Sequence, residues 1–358
     1  MNSKLWLDKK SDAINQMNEF GKNKIPFFFI IDFEFLNPLV FKLDEVWASE
    51  NSSPFRVRGK VNFQILKPPS IKNKEILFDI NGFKNYEKKF SINKNIIFKK
   101  FPISIEQYEI AFNKIIENIN YGNSYLLNLT QPTKIEINLC LKEIFLRSNA
   151  RYKLLYKDEF VVFSPEIFIK ISNNQISSFP MKGTIDASIP DAEKIILNDK
   201  KELAEHSTIV DLLRNDLSIV AKNVRVEKFR YVEKIKTNNK DLLQISSKIT
   251  GQLSENFNDT LGSIIFSLLP AGSISGAPKK KTIEIIKETE KYERGYYTGI
   301  FGYFDGRNLD SGVMIRFIEK NNNTLFYKSG GGITAYSDMK SEYNELIDKV
   351  YVPVTGNN

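Results

Sequence analysis

The chain has almost none of the residues that disulfide scaffolds and most metal sites need. Its 358 residues include one cysteine, Cys140, and one histidine, His206. A single cysteine cannot form an internal disulfide, which excludes a disulfide-stabilised scaffold and fits a reducing cytoplasm. Zinc sites that need several cysteines or histidines, and most Ser-His-Asp triads, are disfavoured for the same reason.

Long apolar runs are also missing. No run of about 18 apolar residues occurs, and the first residues, MNSKLWLDKKSDAINQ, lack an apolar segment of signal-peptide length. We therefore expect a cytoplasmic protein with no membrane partner. Hydrophobic residues make up 42% and charged residues 26% of the chain, which is typical of a globular protein with a sizeable core.

The net charge is positive, but it does not by itself indicate a nucleic-acid partner. Lys and Arg number 51 and Asp and Glu number 43, a net charge of +8. This excess is small and the lysines are spread along the chain, which favours a solvated lysine-rich surface and no nucleic acid. A basic binding protein without catalytic activity is the alternative, and steep salt dependence of DNA retention would support it.

Periodicity and turn residues predict a mixture of strands and helices. Residues 1–98 are predicted to be a strand-rich N-terminal part, strongest in PFFFIIDFEF (26–35), and 99–358 a second, catalytic region. Helices are expected at 104–123, at 199–220 with Leu203 in its buried stripe, from Ala277-Pro278 onward, and at about 338–350. Strands are expected around an Asn-Asn turn at 173–174, before PMKGT (180–184), and as a meander of YYTGIFGYFD, LDSGVMIRFIEK and TLFYKSGGGIT.

Two acidic pairs have the same spacing, Glu202 with Glu205 and Glu342 with Glu345. Residues three apart share one face of a helix, so each pair points at one place. If the two helices face each other across a cleft, the four carboxylates form a hard-oxygen site of the kind that Mg²⁺ uses. Taken alone, each pair is more typical of a solvated helix face.

Other residues are chemically suggestive but open to structural explanations. Lys182 in PMKGT could act as a nucleophile if it loses its proton, and Glu166 in SPE could act as a general acid. Arg316 in VMIRF could bind a carboxylate. The glycines 330–332 could expose backbone N–H groups to an anion or form a flexible turn. GSISGAPKKK lacks the spacing of a phosphate loop, although a glycine-rich turn before a helix suits a carboxylate.

These motifs occur together in one order: SPE, PMKGT, KELAEH, DLLRND, LLPAGSISGAPK, RGYYTGIFGY, VMIR and GGGITAYSDMKSEYNE. The series resembles the chorismate-utilising enzymes, which include component I of anthranilate synthase and of aminodeoxychorismate synthase, isochorismate synthase and salicylate synthase. The resemblance covers about residues 104–352. It implies an α/β (α+β) fold with two packed antiparallel sheets, flanking helices and a central cleft.

The resemblance also implies roles for individual residues. Glu205 and Glu345 match the family's metal ligands, with Glu202 and Glu342 binding through water or substrate. Chorismate is a dianion, and its binding beside four carboxylates requires a cation, for which Mg²⁺ is expected. The residues implied to bind chorismate are Arg316, Tyr297, Gly331, Gly332, Ser275, Gly276 and Ala277.

The residue before the Gly-Thr of PMKGT distinguishes the branches of this family. Anthranilate synthases usually have alanine where this chain has Lys182, whereas aminodeoxychorismate synthases resemble it in having PxKGT. Glu166, 16 residues earlier, matches the acid of that branch. The resemblance therefore implies amination of chorismate at C4 by ammonia, with anthranilate synthase as the alternative. Isochorismate and salicylate synthases need a lysine where this chain has Leu126.

Two positions depart from the family pattern, and one activity is missing. Leu126 replaces a glutamine common in the ammonia-using branches, and Gln244 replaces a histidine. Both departures concern how the ring and the pyruvyl group are held. Cys140 and His206 lie in no recognisable glutaminase motif, so we expect a separate glutamine amidotransferase subunit, component II, to supply ammonia.

Overall fold

The computed structural model describes residues 2–47, 75–87, 95–235 and 241–353. In these ranges no helix is both long and apolar enough to cross a membrane. The helices are α1 (Asn2–Lys22), α2 (Ile105–Asn120), α3 (Leu141–Arg147), α4 (Ala192–Asn198), α5 (Lys200–Ser218), α6 (Leu261–Ser267), α7 (Gly272–Ser275), α8 (Lys279–Glu290) and α9 (Met339–Asp348).

Strands alternate irregularly with these helices. They are β1 (Phe27–Ile31), β2 (Leu39–Lys42), β3 (Ile76–Ile80), β4 (Phe83–Lys84), β5 (Phe98–Phe101), β6 (Leu126–Ile137), β7 (Tyr152–Tyr156), β8 (Phe160–Ser164), β9 (Ile167–Ser172), β10 (Gln175–Ser178), β11 (Met181–Asp186), β12 (Lys222–Ile235), β13 (Leu242–Gln252), β14 (Gly276–Ala277), β15 (Ile300–Phe304), β16 (Leu309–Val313), β17 (Phe317–Asn321) and β18 (Thr324–Ile333).

The described strands form two antiparallel sheets. The first sheet has the order β11-β13-β10-β9-β16-β15-β1-β2, with β12 also paired to β13. The second has the order β14-β6-β18-β17-β8-β7-β3-β4, with β5 also paired to β6. Phe28 and Phe301 of the first sheet share one apolar cluster with Phe78 and Leu154 of the second, so the sheets pack face to face. The predicted fold class is confirmed.

The N-terminal part contains a long helix that the strand-rich interpretation missed. α1 buries Ala13, Met17 and Phe20, positions that recur with helical spacing. It packs against α6 so closely that a Cβ on Gly262 would lie 2.5 Å from the carbonyl oxygen of Ile14. The predicted strand at 26–35 forms as β1. Residues 48–74 and 88–94 lie outside the described ranges, and the division at residue 98 stays a prediction.

The four predicted helices are present as α2, α5, α8 and α9. α2 begins at Ser104, whose hydroxyl accepts the N–H of Gln107 at 3.3 Å, a typical N-cap. One detail of α5 is wrong: Leu203 is 39% exposed, and the buried face runs through His206, Val210 and Leu217 instead.

The predicted three-stranded meander is wrong in its middle. LDSGVMIRFIEK does not form one strand, because it divides into β16 in the first sheet and β17 in the second. Arg316, at the crossing, has φ of 53°, a left-handed conformation that ends a strand. Val313, Met314 and Phe317 are all buried, so the continuous apolar pattern gives no sign of the break.

The PMKGT motif follows a strand, β10, as predicted, and itself belongs to a further strand. It begins β11, which pairs with β13 and has a bulge between Lys182 and Thr184. The extra residue, Gly183, has φ of 77°, which glycine adopts without strain. The bulge breaks the alternation of side chains next to Lys182.

A buried ion pair joins the end of α8 to the elements beside the central cavity. The side chains of Glu290 and Arg294 are each 1% exposed, and Arg294 Nη2 lies 2.6 Å from Glu290 Oε1. The same oxygen accepts the N–H and the hydroxyl of Thr130. Arg294 also donates to the carbonyl oxygens of Ile274 and Asn128, so it holds α7 against β6.

We expect Glu290→Gln to lower the free energy of unfolding by about 3–5 kcal/mol, because the Arg294 guanidinium would stay buried without its counter-charge. Glu288 is the matched control, since its 3.8 Å contact with Lys114 is exposed. Glu288→Gln should change stability by less than about 0.5 kcal/mol. Urea unfolding followed by circular dichroism measures both. Equal effects of the two variants would contradict the structural role of the buried pair.

Candidate active site

A cavity of about 730 Å³ lies where the two sheets meet α5, α7 and α9. It brings together most of the residues that the sequence singles out, although these come from separate parts of the chain. The predicted residues that line it are Glu166, Lys182, Glu205, Gly276, Tyr297, Arg316, Gly331, Gly332 and Glu345. The other four predicted residues, Ser275, Ala277, Glu202 and Glu342, are not part of this lining.

The two acidic pairs converge on one lysine. Lys182 Nζ lies 2.7 Å from Glu205 Oε2 on α5, and Glu345 on α9 adds its charge from the other side. Burial lowers the pKa of Lys182, but the charges of Glu205, Glu345 and Glu202 outweigh it and leave that pKa raised. Lys182 is therefore an ammonium beside these carboxylates, and it would have to lose its proton before acting as a nucleophile.

Glu202 and Glu342 each lie against a glycine. A Cβ on Gly183 would lie 2.9 Å from Glu202 Oε2, and one on Gly331 would lie 3.2 Å from Glu342 Oε2. Side chains at these two positions would crowd the carboxylates. Burial raises the pKa of Glu342, against a hydrogen bond from Ser337, whose hydroxyl donates to its carboxylate at 2.8 Å.

The donor set suits Mg²⁺ better than a softer metal. Glu205 and Glu345 present carboxylate oxygens from two facing helices, and Mg²⁺ accepts one or two carboxylates while water and substrate fill its other positions. The described residues hold no cluster of three or more Asp, Glu, His or Cys side chains in metal-ligating geometry. His206 follows Glu205 in sequence, but its Nε2 is hydrogen-bonded to Ser247 Oγ at 2.7 Å. Burial lowers the pKa of His206 to about 4, so it is neutral.

Glu166 is held at the cavity in a form suited to donating a proton. It lies between β8 and β9, and Ser273 Oγ of α7 donates to its Oε1 at 2.5 Å. Burial raises the pKa of Glu166, although this hydrogen bond and the charges of Lys349 and Arg316 act in the opposite direction. A raised pKa favours the protonated carboxyl, which is the form that a general acid needs.

Arg316 and Tyr297 add hydrogen-bond donors to the lining of the cavity. Arg316 donates through Nη1 to the carbonyl oxygen of Lys349 at 3.0 Å, and its guanidinium lies 5.1 Å from the ring of Tyr351. Its place between β16 and β17 directs it into the cavity. Burial raises the pKa of Tyr297, so its hydroxyl stays a neutral donor. An arginine fork beside a phenol suits a carboxylate.

The three glycines belong to β18 and not to a flexible turn. They pair with β6, where Gly330 faces Thr130 and Gly331 faces Leu129. A Cβ on Gly330 would lie 2.2 Å from the carbonyl oxygen of Leu129, so no other residue fits there. Because these glycines have no side chains, the backbone of β18 is accessible beside the carboxylates of α9.

Comparison with known proteins identifies the family. The sequence model for chorismate binding enzymes matches residues 9–355. The chain belongs to this family. The resemblance that the order of motifs indicates is therefore confirmed, whereas the roles of individual side chains toward chorismate stay predictions.

Two relatives of this chorismate-binding enzyme match over nearly their whole length. An uncharacterized PabA-like protein of Pasteurella multocida is 50% identical over 95% of this chain and 98% of its own length. A second one, from Haemophilus influenzae, is 47% identical over 96% and 97%. Aminodeoxychorismate synthase component 1 of Escherichia coli is 33% identical over 68% of this chain and 56% of its own length.

Solved structures confirm the fold of the enzyme. Anthranilate synthase component I from Streptococcus pneumoniae superposes with a TM-score of 0.59 at 26% identity, over 72% of this chain and 59% of that one. The menaquinone-specific isochorismate synthase from Escherichia coli has a TM-score of 0.66 at 13% identity, over 96% and 81%. The predicted anthranilate synthase component I-like fold is correct.

The loop before α8 differs in detail from its expected role. Ser275 donates to the carbonyl oxygen of Ala271 at 2.9 Å, and its own N–H is bonded to the same oxygen. Its polar groups are therefore satisfied within α7. Gly276 does border the cavity, with φ of 108°, and a Cβ there would lie 2.0 Å from the carbonyl oxygen of Leu126. Lys279 anchors this loop by donating to Asp216 at 2.9 Å.

The two departures from the family pattern occupy different places. Leu126 is buried and lines the cavity, where it adds an apolar surface and no hydrogen bond. Gln244 lies on β13 opposite Thr184 of β11, and it is outside the cavity lining. The Oε1 atom of Gln244 is buried without a hydrogen-bond partner.

Two residues of the site were missed from sequence. Ser273 orients Glu166, as described above. Lys349 lines the cavity, lies 2.6 Å from Glu345 Oε1 and donates to the carbonyl oxygen of Gly330 at 2.8 Å. Lys349 could have been found, because it follows Glu345 by four residues on one helix face. No local signal connects Ser273 with Glu166, which is 107 residues away.

Proposed function

We propose that this enzyme is the chorismate-aminating component I of an aminodeoxychorismate synthase. It would convert chorismate and ammonia into 4-amino-4-deoxychorismate and water. The observation that carries the proposal is that one cavity holds both Lys182 and Glu166, a carboxyl whose pKa burial raises. The 33% identity to the Escherichia coli synthase component supports it.

In the proposed mechanism the Lys182 amine attacks C2 of chorismate. Both ring double bonds shift by one position, and the C4 hydroxyl leaves as water with the proton of Glu166. Ammonia then adds at C4, both double bonds shift back, and the bond between C2 and the lysine nitrogen breaks. The added nitrogen returns a proton to Glu166, which restores both side chains.

Charge balance makes Mg²⁺ the proposed cofactor. Glu205 and Glu345 would hold it, and when bound it would neutralise the repulsion between these carboxylates and a carboxylate of the substrate. Lys182 must give up its proton before it attacks. The carboxylates that stabilise its ammonium are the same ones that would bind the cation.

The other substrate carboxylate is proposed to bind Arg316 and Tyr297. Both carry hydrogen-bond donors, and the bare backbone at Gly331 and Gly332 leaves room beside them. Desolvation of the cavity strengthens such contacts. Leu126 offers an apolar surface to the ring and no base, which argues against activation of water for isochorismate formation.

Ammonia is proposed to come from a glutamine amidotransferase subunit. Cys140 is exposed, whereas His206 is buried beside Ser247, so the two cannot form a nucleophile and base pair. The purified chain should therefore use ammonium alone, and glutamine only after an amidotransferase is added. An exposed thiol also fits the cytoplasm as the compartment of this activity.

One assay tests the proposed function directly. The purified chain is incubated with chorismate, ammonium and Mg²⁺, and the products are separated and identified by mass. Formation of 4-amino-4-deoxychorismate without pyruvate would support the proposal. Anthranilate with pyruvate would assign the enzyme to the anthranilate synthase branch, and isochorismate would refute amination. Glutamine-dependent turnover by the homogeneous chain would refute the separate amidotransferase.

The hydrogen bond from Ser273 to Glu166 yields a further prediction. Ser273→Ala should lower kcat by about 10- to 100-fold with little change in KM, because the acid loses its orientation. Loss of the donor also removes stabilisation of the carboxylate, so the pKa of Glu166 rises. Activity requires the protonated acid, and its decline with increasing pH should therefore move to higher pH.

Ser273→Thr is the matched control, because threonine keeps the hydroxyl. It should retain both the kcat and the position of the basic limb in the pH profile. Steady-state kinetics between pH 6 and about pH 10 measure both quantities. If Ser273→Ala has the same pH profile as the wild type, Ser273 does not influence the pKa of Glu166.

A further inference from the structure

A second, smaller cavity of about 240 Å³ lies beside the catalytic one. Ser246 of β13 pairs with Met181 on one side and with Tyr231 of β12 on the other. Cross-strand neighbours share a face of a sheet, so the three side chains form one row. Arg151, at the start of β7 in the opposite sheet, closes the cavity together with Phe179 and Ile167.

The two cavities share a wall. Ile167, Phe179 and Met181 line both of them. Ile167 directly follows Glu166, and Met181 directly precedes Lys182. A molecule in the smaller cavity would therefore touch the neighbours of both proposed catalytic residues without entering the chorismate site.

The polar groups of the smaller cavity favour an anionic ligand. Lys170 is neutralised by Asp310 at 3.0 Å, and Glu233 accepts the hydroxyl of Ser246 at 3.1 Å. The structure gives the Arg151 guanidinium no hydrogen bond or ion pair within the described part of the chain. Five guanidinium donors are thus available to a carboxylate.

The remaining features restrict the size and charge of that ligand. Ile167, Phe179 and Met181 offer an apolar surface, and the volume is below the range usual for drug-sized ligands. Glu233, Arg151 and Tyr231 line the same small cavity. A second carboxylate on the ligand would meet Glu233 and be repelled.

We propose that the smaller cavity binds a small monocarboxylic acid with an apolar ring or chain, and that this binding slows catalysis through Met181. The carboxylate would bind Arg151, and the apolar part would pack on Phe179 and Ile167. Lys182 must leave Glu205 to reach the substrate. Met181 directly precedes Lys182 and the bulge that follows it. A ligand that restrains Met181 would therefore oppose the movement of Lys182.

Benzoate is a suitable probe, with benzamide as the neutral control and isophthalate as the diacid. Calorimetric titration should show benzoate binding that is at least about tenfold tighter than binding of either control, since hydrogen bonds to charged groups contribute that much. Arg151→Gln should lose this preference. Arg307→Gln, at an exposed arginine outside both cavities, should bind like the wild type. The proposed site would be overturned if Arg151→Gln binds benzoate as the wild type does, or if only Arg316→Gln loses benzoate binding.

The effect on catalysis is tested separately and rests on the proposed function. Saturating benzoate should lower kcat for chorismate amination at least twofold while KM changes little, and Arg151→Gln should be insensitive. Purely competitive inhibition, with kcat unchanged, would overturn the coupling through Met181. The calorimetric result does not depend on which chorismate reaction the enzyme catalyses, so failure of the site and failure of the proposed function are distinguishable.

Discussion

Lys182→Ala is expected to lower kcat for aminodeoxychorismate formation by about a thousandfold or more, because it removes the proposed nucleophile. Lys194→Ala is the matched control, since Lys194 is exposed and pairs with Asp191 at 3.0 Å. It should retain full activity. Steady-state assays with saturating chorismate, ammonium and Mg²⁺ measure both variants. Near-normal turnover in Lys182→Ala would mean that ammonia attacks the ring directly.

A covalent adduct on Lys182 would distinguish a nucleophile from an electrostatic role. The wild-type enzyme is incubated with chorismate and Mg²⁺ but without ammonia, digested and analysed by mass. The peptide containing PMKGT should gain mass, and neither Lys182→Ala nor Glu166→Gln should show the gain. Glu166→Gln belongs in this test because the C4 hydroxyl cannot leave without a proton donor. An unmodified peptide under conditions of proven turnover would argue against attack by Lys182.

Glu205→Gln and Glu345→Gln are each expected to abolish turnover while the fold is retained. Both side chains face the cavity and contribute little packing, so unfolding by urea should differ by less than about 1 kcal/mol from the wild type. Each variant removes one of two negative ligands, and calorimetry should show Mg²⁺ affinity reduced by at least about tenfold. Full activity at limiting Mg²⁺ in either variant would exclude that residue as a ligand.

Glu284→Gln serves as the control for both metal variants. Glu284 lies on the exposed face of α8, where it contacts Lys281 at 3.3 Å. It carries the same change of charge far from the cavity. If Mg²⁺ affinity and turnover are unchanged in this variant, the losses in Glu205→Gln and Glu345→Gln are caused by the carboxylates on α5 and α9. A loss of similar size in Glu284→Gln would mean that the net charge of the protein causes them.

The sequence by itself determined the parts of the site that depend on one segment. The spacing of Glu202 and Glu205, and of Glu342 and Glu345, defines a common helix face because the period of a helix is local. The order of motifs identified the family, and Lys182 in PMKGT is the sequence feature on which the proposed branch rests. The strand β1 was also predictable, since consecutive large apolar residues bounded by polar ones form a buried strand.

Only the tertiary structure decided how distant segments meet. The sequence places Arg316 in the middle of one strand, because the residues before and after it are equally apolar. In the structure the chain passes from the first sheet to the second at this residue. The hydrogen bond between Ser273 and Glu166 joins residues 107 positions apart. Met181 lines both cavities, and this position depends on the pairing of β11, β13 and β12. Periodicity describes which face of an element is buried, whereas the partner of that face depends on long-range packing that no single segment encodes.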